Sequence, residues 1–464
     1  MQFDYVIVGA GSAGCVLANR LSENPNTRVC LLEAGPADNS LFIRIPAGII
    51  WLMRSNARNW RYYTVPQKAL NNREIYIPRG KTLGGSSAVN AMCYTRGHPW
   101  DYDHWESLGN PGWGYKDVLP LFKRCEHYEP GGEGPFHGVN GNLNIAELKF
   151  RHPVSEAFVT AGVQAGHPAT DDFNNDTQEG MSMYKVNQKD GERWGVARGY
   201  LHPAMERDNL TVMTGALVHR VRFDGKRATG VEVEHKGGTF TMGSWELPFT
   251  GAKAVWDFFT KRSGQLTSNV AEAGGFIKSR PEEERPDLQL HLTAAKLDNH
   301  GLNWMFSMGH GYSGHVCILR PKSRGTIRLR DADPRSPALI DPRFLEHPDD
   351  MEGMVRGVKA MRAIMAQDAL APWRGEELAP GADVQSDEQI RAFLRHKCDN
   401  IYHPVGTCKM GVDDQAVVDP DLKVHGLEGL RVVDASIMPT LIGGNTNAPT
   451  VMIAEKAADK ILGV

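Results

Sequence analysis

The sequence predicts an α/β protein, α+β overall, with a parallel sheet and more than one domain. Three observations carry this. The chain has 464 residues, long for a single core, so two closely associated domains are expected. Its first three dozen residues read as strand, glycine turn, helix and strand. Further on, hairpin patterns with Asp-Gly and Gly-Gly turns give way to an amphipathic helical pattern.

Taken in order, residues 3 to 8 of "FDYVIVGAGSAGCVLANRLSENPNTRVCLLEAG" form a short apolar run of the kind buried on both faces of a parallel sheet. Gly9, Gly11 and Gly14 follow as G-x-G-x-x-G. Then comes a helical pattern with Val16, Leu17 and Leu21 on one face, and "RVCLLE" (28 to 33) returns as a second buried strand. The first glycine permits the sharp strand-to-helix turn, the second lets a pyrophosphate approach the backbone, and the third lets helix and strand pack closely. The positive end of the helix dipole then faces the phosphates. Glu33 is placed to accept hydrogen bonds from a ribose and argues against a 2'-phosphate. The motif serves FAD and NAD alike.

The next glycine-rich segment, "PRGKTLGGSSAVNAMCYTRG" (78 to 97), sets Gly84, Gly85, Ser86 and Ser87 in a row, with "AVNAMCY" readable as a helix after them. One such loop suffices for one dinucleotide's phosphates, so a second implies a large cofactor with another polar end. An isoalloxazine ring qualifies. Residues 209 to 242 suggest a strand and a hairpin turning at Asp224-Gly225 and Gly237-Gly238. Residues 325 to 365 give a strand and an amphipathic helix carrying Met354, Val358, Met361 and Ile364 on one face. "GLRVVDASIMP" (429 to 439) reads as a buried strand, followed by a glycine turn and a closing helix.

Composition excludes several classes. The 52 basic and 55 acidic residues nearly cancel, so no broad field attracts nucleic acid. Seven cysteines are scattered without a C-x-x-C pair, which argues for reduced thiols in a cytosol-like compartment and against a disulfide framework or a metal site. The first strand begins at Phe3, leaving no room for a cleavable leader. "IPAGIIWLM" (45 to 53) is too short to cross a bilayer. It reads as a lid or channel wall, with peripheral contact at the inner face of a membrane as the minority reading.

In "IYHPVGTCKMG" (401 to 411), Pro404 pushes His403 toward extended backbone, a rigid segment that suits a catalytic base as well as a packed strand end. With both glycine loops, this turn and the Asn445 turn in place, the chain resembles the glucose-methanol-choline (GMC) oxidoreductases, nearest the bacterial alkane alcohol, polyethylene glycol and choline dehydrogenase branch. The resemblance rests on residues 6 to 35, Gly80 to Asp101, "HPVGTCKMG", "VVDASIMP" and "GGNTNAPTVMIAEKAA".

It implies an FAD-binding domain with a parallel sheet (1–145, 196–245 and 395–464) and a substrate domain on an antiparallel sheet with helices (146–195 and 246–394). Matching the family's motifs, Gly9, Gly11, Ser12, Ala13, Gly14, Glu33 and Ala34 would hold the adenosine diphosphate. Gly80, Thr82, Gly84, Gly85, Ser86, Asn90, Ala91, Met92, Asp434, Ala435, Asn447 and Pro449 would surround the rest of the cofactor, with Val218 on its adenine-side strand. His403 would be the base and Asn445 the amide that fixes the alcohol oxygen. Val89 stands where some members attach FAD through histidine, so FAD is expected to be non-covalent. The implied reaction is oxidation of primary alcohols to aldehydes, with electrons passing to a quinone or other acceptor. The alternatives are an oxygen-using oxidase and a hydroxynitrile-lyase-like member with structural FAD.

One departure is large. After Met242 the family continues with a strand ending in Ala-Gly, a second signature and a helix, whereas here "GSWELPFTGAKAVWDFF" follows at once. That strand would lie between the first strand and "RVVDAS". Either residues between Met242 and Gly243 have gone unseen, the favoured reading, or the segment is deleted and the sheet has re-closed. A true deletion would put FAD affinity and stability in doubt.

Overall fold

The computed structural model describes residues 2–235, 252–307 and 310–464. The opening motif forms as expected: β1 (Tyr5–Val8), α1 (Ser12–Leu21) and β2 (Val29–Glu33). β2 is buried along its whole length, which is why it reads as a continuous apolar run. The chain continues through α2 (Pro153–Gln164) and β3 (Gly180–Met183) to β4 (Leu210–Thr214), which runs parallel to β2 with Leu210 opposite Val29. The sheet order is β1-β2-β4. β5 (Ala216–Asp224) and β6 (Arg227–His235) form the predicted hairpin, turning at Gly225 with φ 56°.

A second sheet is antiparallel. β7 (Ala273–Ile277), β8 (Leu288–Thr293) and β9 (Ser313–Ile318) join β3 in the order β9-β8-β7-β3. α3 (Pro348–Met365) packs on it, burying Met354, Val358, Met361 and Ile364 as their spacing predicts. The closing helix, α4 (Asn447–Leu462), packs on α1. Two large apolar cores result. One gathers α1, α4, Trp105 and Trp113 beside the parallel sheet; the other gathers Phe158, Leu290, Met361 and Ile364 against the antiparallel one. Among the described residues no helix is long and apolar enough to cross a membrane.

Three local expectations are corrected. β1 is not buried on both faces: Val6 is 40% and Val8 54% exposed. Among the described residues β1 pairs with β2 alone. Residues 429–439 do not form a strand but make a bridge between Lys423 and Arg431 and a short turn at Ala435–Ile437. Among the described residues no strand pairs with the second side of β1, and both β1 and residues 429–436 line one cavity. The third correction is "AVNAMCY", which is not a helix. A single turn at Gly85–Ala88 leads into extended chain, where Tyr94 N–H bonds the Lys185 carbonyl and Asn187 N–H the Met92 carbonyl. The Gly237-Gly238 turn, the junction after Met242 and Met308 lie outside the described residues.

Candidate active site

The two glycine loops meet. Gly84 N–H donates to the Ala10 carbonyl (2.7 Å), and a Cβ on Gly85 would stand 2.7 Å from Gly11 Cα. At Gly14 a Cβ would come within 2.0 Å of the Gly9 carbonyl oxygen, the close packing of helix on strand that its place in the motif requires. Gly9 and Gly11 are different: a Cβ there meets nothing within 4 Å, and both line a cavity of ≈ 2370 Å³. Ser12, Ala13 and Gly14 line it as well, with Ser12 Oγ donating to Asn447 Oδ1 (2.7 Å). Glu33, expected to face a ribose, does not line the cavity: it is buried at the end of β2, accepting from Ala10 N–H (3.0 Å) and Gly35 N–H (2.8 Å). Burial raises its pKa.

The cavity continues past Ser86, Asn90, Ala91 and Met92 and past Asp434 and Ala435. Two polar atoms of residues on its wall, Asn269 Oδ1 and His291 Nε2, are buried without a hydrogen-bond partner. An open backbone cradle at one end and unpartnered polar atoms further along suit a long, bipolar ligand such as FAD. Ala34, Gly80, Thr82, Gly84, Gly85, Val218 and Pro449 stand back from the cavity wall; Val218 instead packs beside Cys30 and Leu32 of β2.

At the centre stand the two residues drawn from the C-terminal motifs. His403 follows Tyr402, whose φ of 71° is an outlier for a bulky residue. Tyr402 N–H is held by Asn400 Oδ1 (2.8 Å) and its hydroxyl by His300 Nδ1 (2.6 Å), which together hold the strained turn. His403 Nε2 lies 3.1 Å from Asn445 Nδ2, and His403 Nδ1 2.9 Å from Thr446 Oγ1. Asn445 is anchored through its N–H to Thr95 Oγ1 (2.8 Å), and its Oδ1 accepts from Thr95 Oγ1 (3.0 Å) and Gln289 Nε2 (3.1 Å). Thr95 and Thr446 lie inside the motifs that carry the resemblance, which gives them no role, and Gln289 lies in none.

Burial, helped by Arg79, pushes His403 down to about 4. On the antiparallel sheet His291 and His315 sit directly opposite each other on β8 and β9. Burial, with His315 and His403 nearby, takes the 7% exposed His291 to about 3; His315, whose side chain opens onto the cavity, is drawn down to about 4 by desolvation within it, with His300 nearby. All three rings are therefore neutral at pH 7. Unfolded histidine protonates near 6.5, so between about 6.5 and about 3 the unfolded chain binds more protons, and stability falls as pH falls through that window. Urea unfolding of the apoprotein should show a lower midpoint at pH 4.5 than at pH 7. His291→Gln, at the buried ring, should flatten that dependence; an unchanged slope would mean these rings do not set it.

Two family models described as GMC oxidoreductase match residues 3–247 and 321–454. The alcohol dehydrogenase [acceptor] of Pseudomonas putida is 43% identical over 99% of this chain and 96% of its own. The oxygen-dependent choline dehydrogenase of Rhizobium rhizogenes is 39% identical over 100% and 96%. The alignment with the former spans 530 positions against 464 residues here, so the relative carries residues this chain lacks. The crystal structure of pyridoxine 4-oxidase from Mesorbium loti superposes with a TM-score of 0.88 at 30% identity, covering both chains fully. The chain therefore belongs to the GMC oxidoreductases, as an FAD-dependent oxidoreductase acting on CH–OH donors.

Proposed function

We propose that this protein oxidises apolar primary alcohols to aldehydes, with His403 as base and Asn445 as the donor to the alcohol oxygen. The observation that carries it is the pair itself. A neutral imidazole and a side-chain amide, 3.1 Å apart at Nε2 and Nδ2, share one cavity with an open dinucleotide cradle. Gly9, Gly11 and Ser12 at one end and Asn90 to Met92 at the other would hold FAD, which when bound would supply the two-electron acceptor. The protein's own task is to take the hydroxyl proton at His403 Nε2 while Asn445 Nδ2–H steadies the developing alkoxide. Holding both groups in place converts an encounter into a positioned reaction.

Met361, Met365 and Val316 line the cavity with the neutral His291 and His315, a surface that suits an apolar alcohol better than a cationic one. Val89, buried on the same wall, offers no nucleophile, which supports non-covalent FAD. The name of the Pseudomonas putida relative, alcohol dehydrogenase [acceptor], supports electron transfer to a quinone or other acceptor, and that of the Rhizobium rhizogenes relative supports oxygen as the alternative. The two apolar cores support division into an FAD domain and a substrate domain near the boundaries the motifs imply.

The test is an anaerobic absorbance spectrum before and after a medium-chain primary alcohol is added. Flavin bands that bleach are expected. Persistent bands with alcohols of every chain length would sink the oxidation reading in favour of a structural flavin.

A further inference from the structure

The bonds around Asn445 have a direction as well as lengths. A backbone carbonyl can only accept. The Tyr184 hydroxyl lies 2.9 Å from the Leu290 carbonyl oxygen and so donates to it. Its own oxygen is left to accept from Gln289 Nε2 at 3.1 Å. The Gln289 amide is thereby oriented nitrogen-inward, and its second hydrogen meets Asn445 Oδ1 at 3.1 Å. Thr95 acts in the same sense, accepting from Asn445 N–H and donating to Oδ1. With its oxygen occupied twice, Asn445 can present only its amide nitrogen to His403 Nε2. A donor facing Nε2 demands a lone pair there, which puts the ring proton on Nδ1, toward Thr446 Oγ1. Tyr184, Gln289 and Thr95 are each at most 1% exposed, so bulk water does not compete for these bonds.

We propose that Gln289, itself oriented by Tyr184, is a positioning residue that keeps the Asn445 amide nitrogen turned toward the reacting oxygen and so holds His403 in the tautomer able to accept a proton at Nε2. This rests on the roles given to His403 and Asn445 above. A flipped amide would reverse both functions. Its oxygen would face the developing alkoxide, where a donor is needed, and would favour the Nε2–H tautomer, which has no lone pair to take the proton. Amide orientation here is a polarity setting, relayed from one backbone carbonyl across three side chains.

Gln289→Glu tests it, because it keeps the shape and replaces the donor by an acceptor. A carboxylate repels Asn445 Oδ1 and attracts Nδ2, and such charge-assisted bonds are about twice as strong as the neutral one from Thr95. In the ¹⁵N-labelled apoprotein, with His403→Gln to assign the signals, the His403 ring should move from the Nδ1–H to the Nε2–H tautomer. In the holoenzyme the anaerobic flavin-reduction rate should fall ~10²-fold, the scale of losing one donor to a developing oxyanion. The rate should recover as pH is lowered, because the introduced carboxyl group, once protonated, can again donate to Asn445. Tyr184→Phe, which frees Gln289 to turn, should give a mixture of tautomers and an intermediate loss; it decides the matter if Gln289→Glu does not fold. Retention of the Nδ1–H tautomer in the variant that folds overturns the positioning role and leaves that of His403 standing. A changed tautomer with undiminished flavin reduction overturns the role of His403, and with it the proposal.

Discussion

Replacing His403 by alanine should leave FAD bound and slow its reduction by alcohol by about 10²–10⁴-fold, the usual contribution of a positioned general base. The cofactor cradle lies on the other elements of the cavity, at Gly9, Gly11 and Asn90, and none of these contacts passes through His403. Flavin content should therefore match the parent protein. The loss belongs in the reduction rate constant rather than in substrate affinity, because the proton is taken only as the alcohol reacts. His403→Ala also deletes a bond to Thr446 and the partner of Asn445 Nδ2, so the comparison with Asn445→Ala is informative. That variant should lose about 10²–10³-fold, the value of one donor to a developing oxyanion. Stopped-flow bleaching under anaerobic conditions reads both. A His403→Ala protein that reduces its flavin at the parental rate would remove the imidazole from the reaction.

Gly11→Val should abolish FAD retention while sparing the fold. The space where its side chain would stand is open and faces the cavity, so the apoprotein has room for it, whereas a pyrophosphate approaching the backbone does not. Gly14→Val is the contrasting variant. Its first carbon would already stand 2.0 Å from the Gly9 carbonyl oxygen, and loss of folded protein is expected. The pair separates cofactor binding from folding within one motif: a colourless Gly11→Val protein with near-parental thermal unfolding as apoprotein is the expected result. Yellow Gly11→Val protein would show that this loop does not carry the phosphates.

The parallel-sheet motif was legible because its periodicity changes from two to 3.6 at glycines whose spacing has a steric meaning. His403 was legible through Pro404 and the family turn around it. The residues that hold Asn445 were not. "LQLHLT" in β8 alternates as a strand with one wet face should, which would send Gln289, His291 and Thr293 to solvent. In the fold both faces of β8 are buried, and the polar side chains turn to the cavity and its lining instead. Thr95 and Asn445 are joined across 350 residues of sequence, a distance no local pattern reports. "GLRVVD" failed for the opposite reason. Its strand propensity is real, but a strand needs a partner, and among the described residues this stretch pairs through no more than the Lys423–Arg431 bridge.

β1 shows what that costs beyond the site. Tyr5–Val8 is composed like an interior strand, with apolar side chains and no lysine, proline or bulge to discourage pairing, and natural proteins rely on such devices at sheet edges. Among the described residues β2 alone pairs with it, and Val6 and Val8 open onto the same cavity as Gly9 and Gly11. An edge of this composition is a template for any extended chain, including another molecule of the same kind. Self-association is thus expected at the ladder that carries the cofactor motif, and the loss of protein from solution should rise with concentration as well as with temperature.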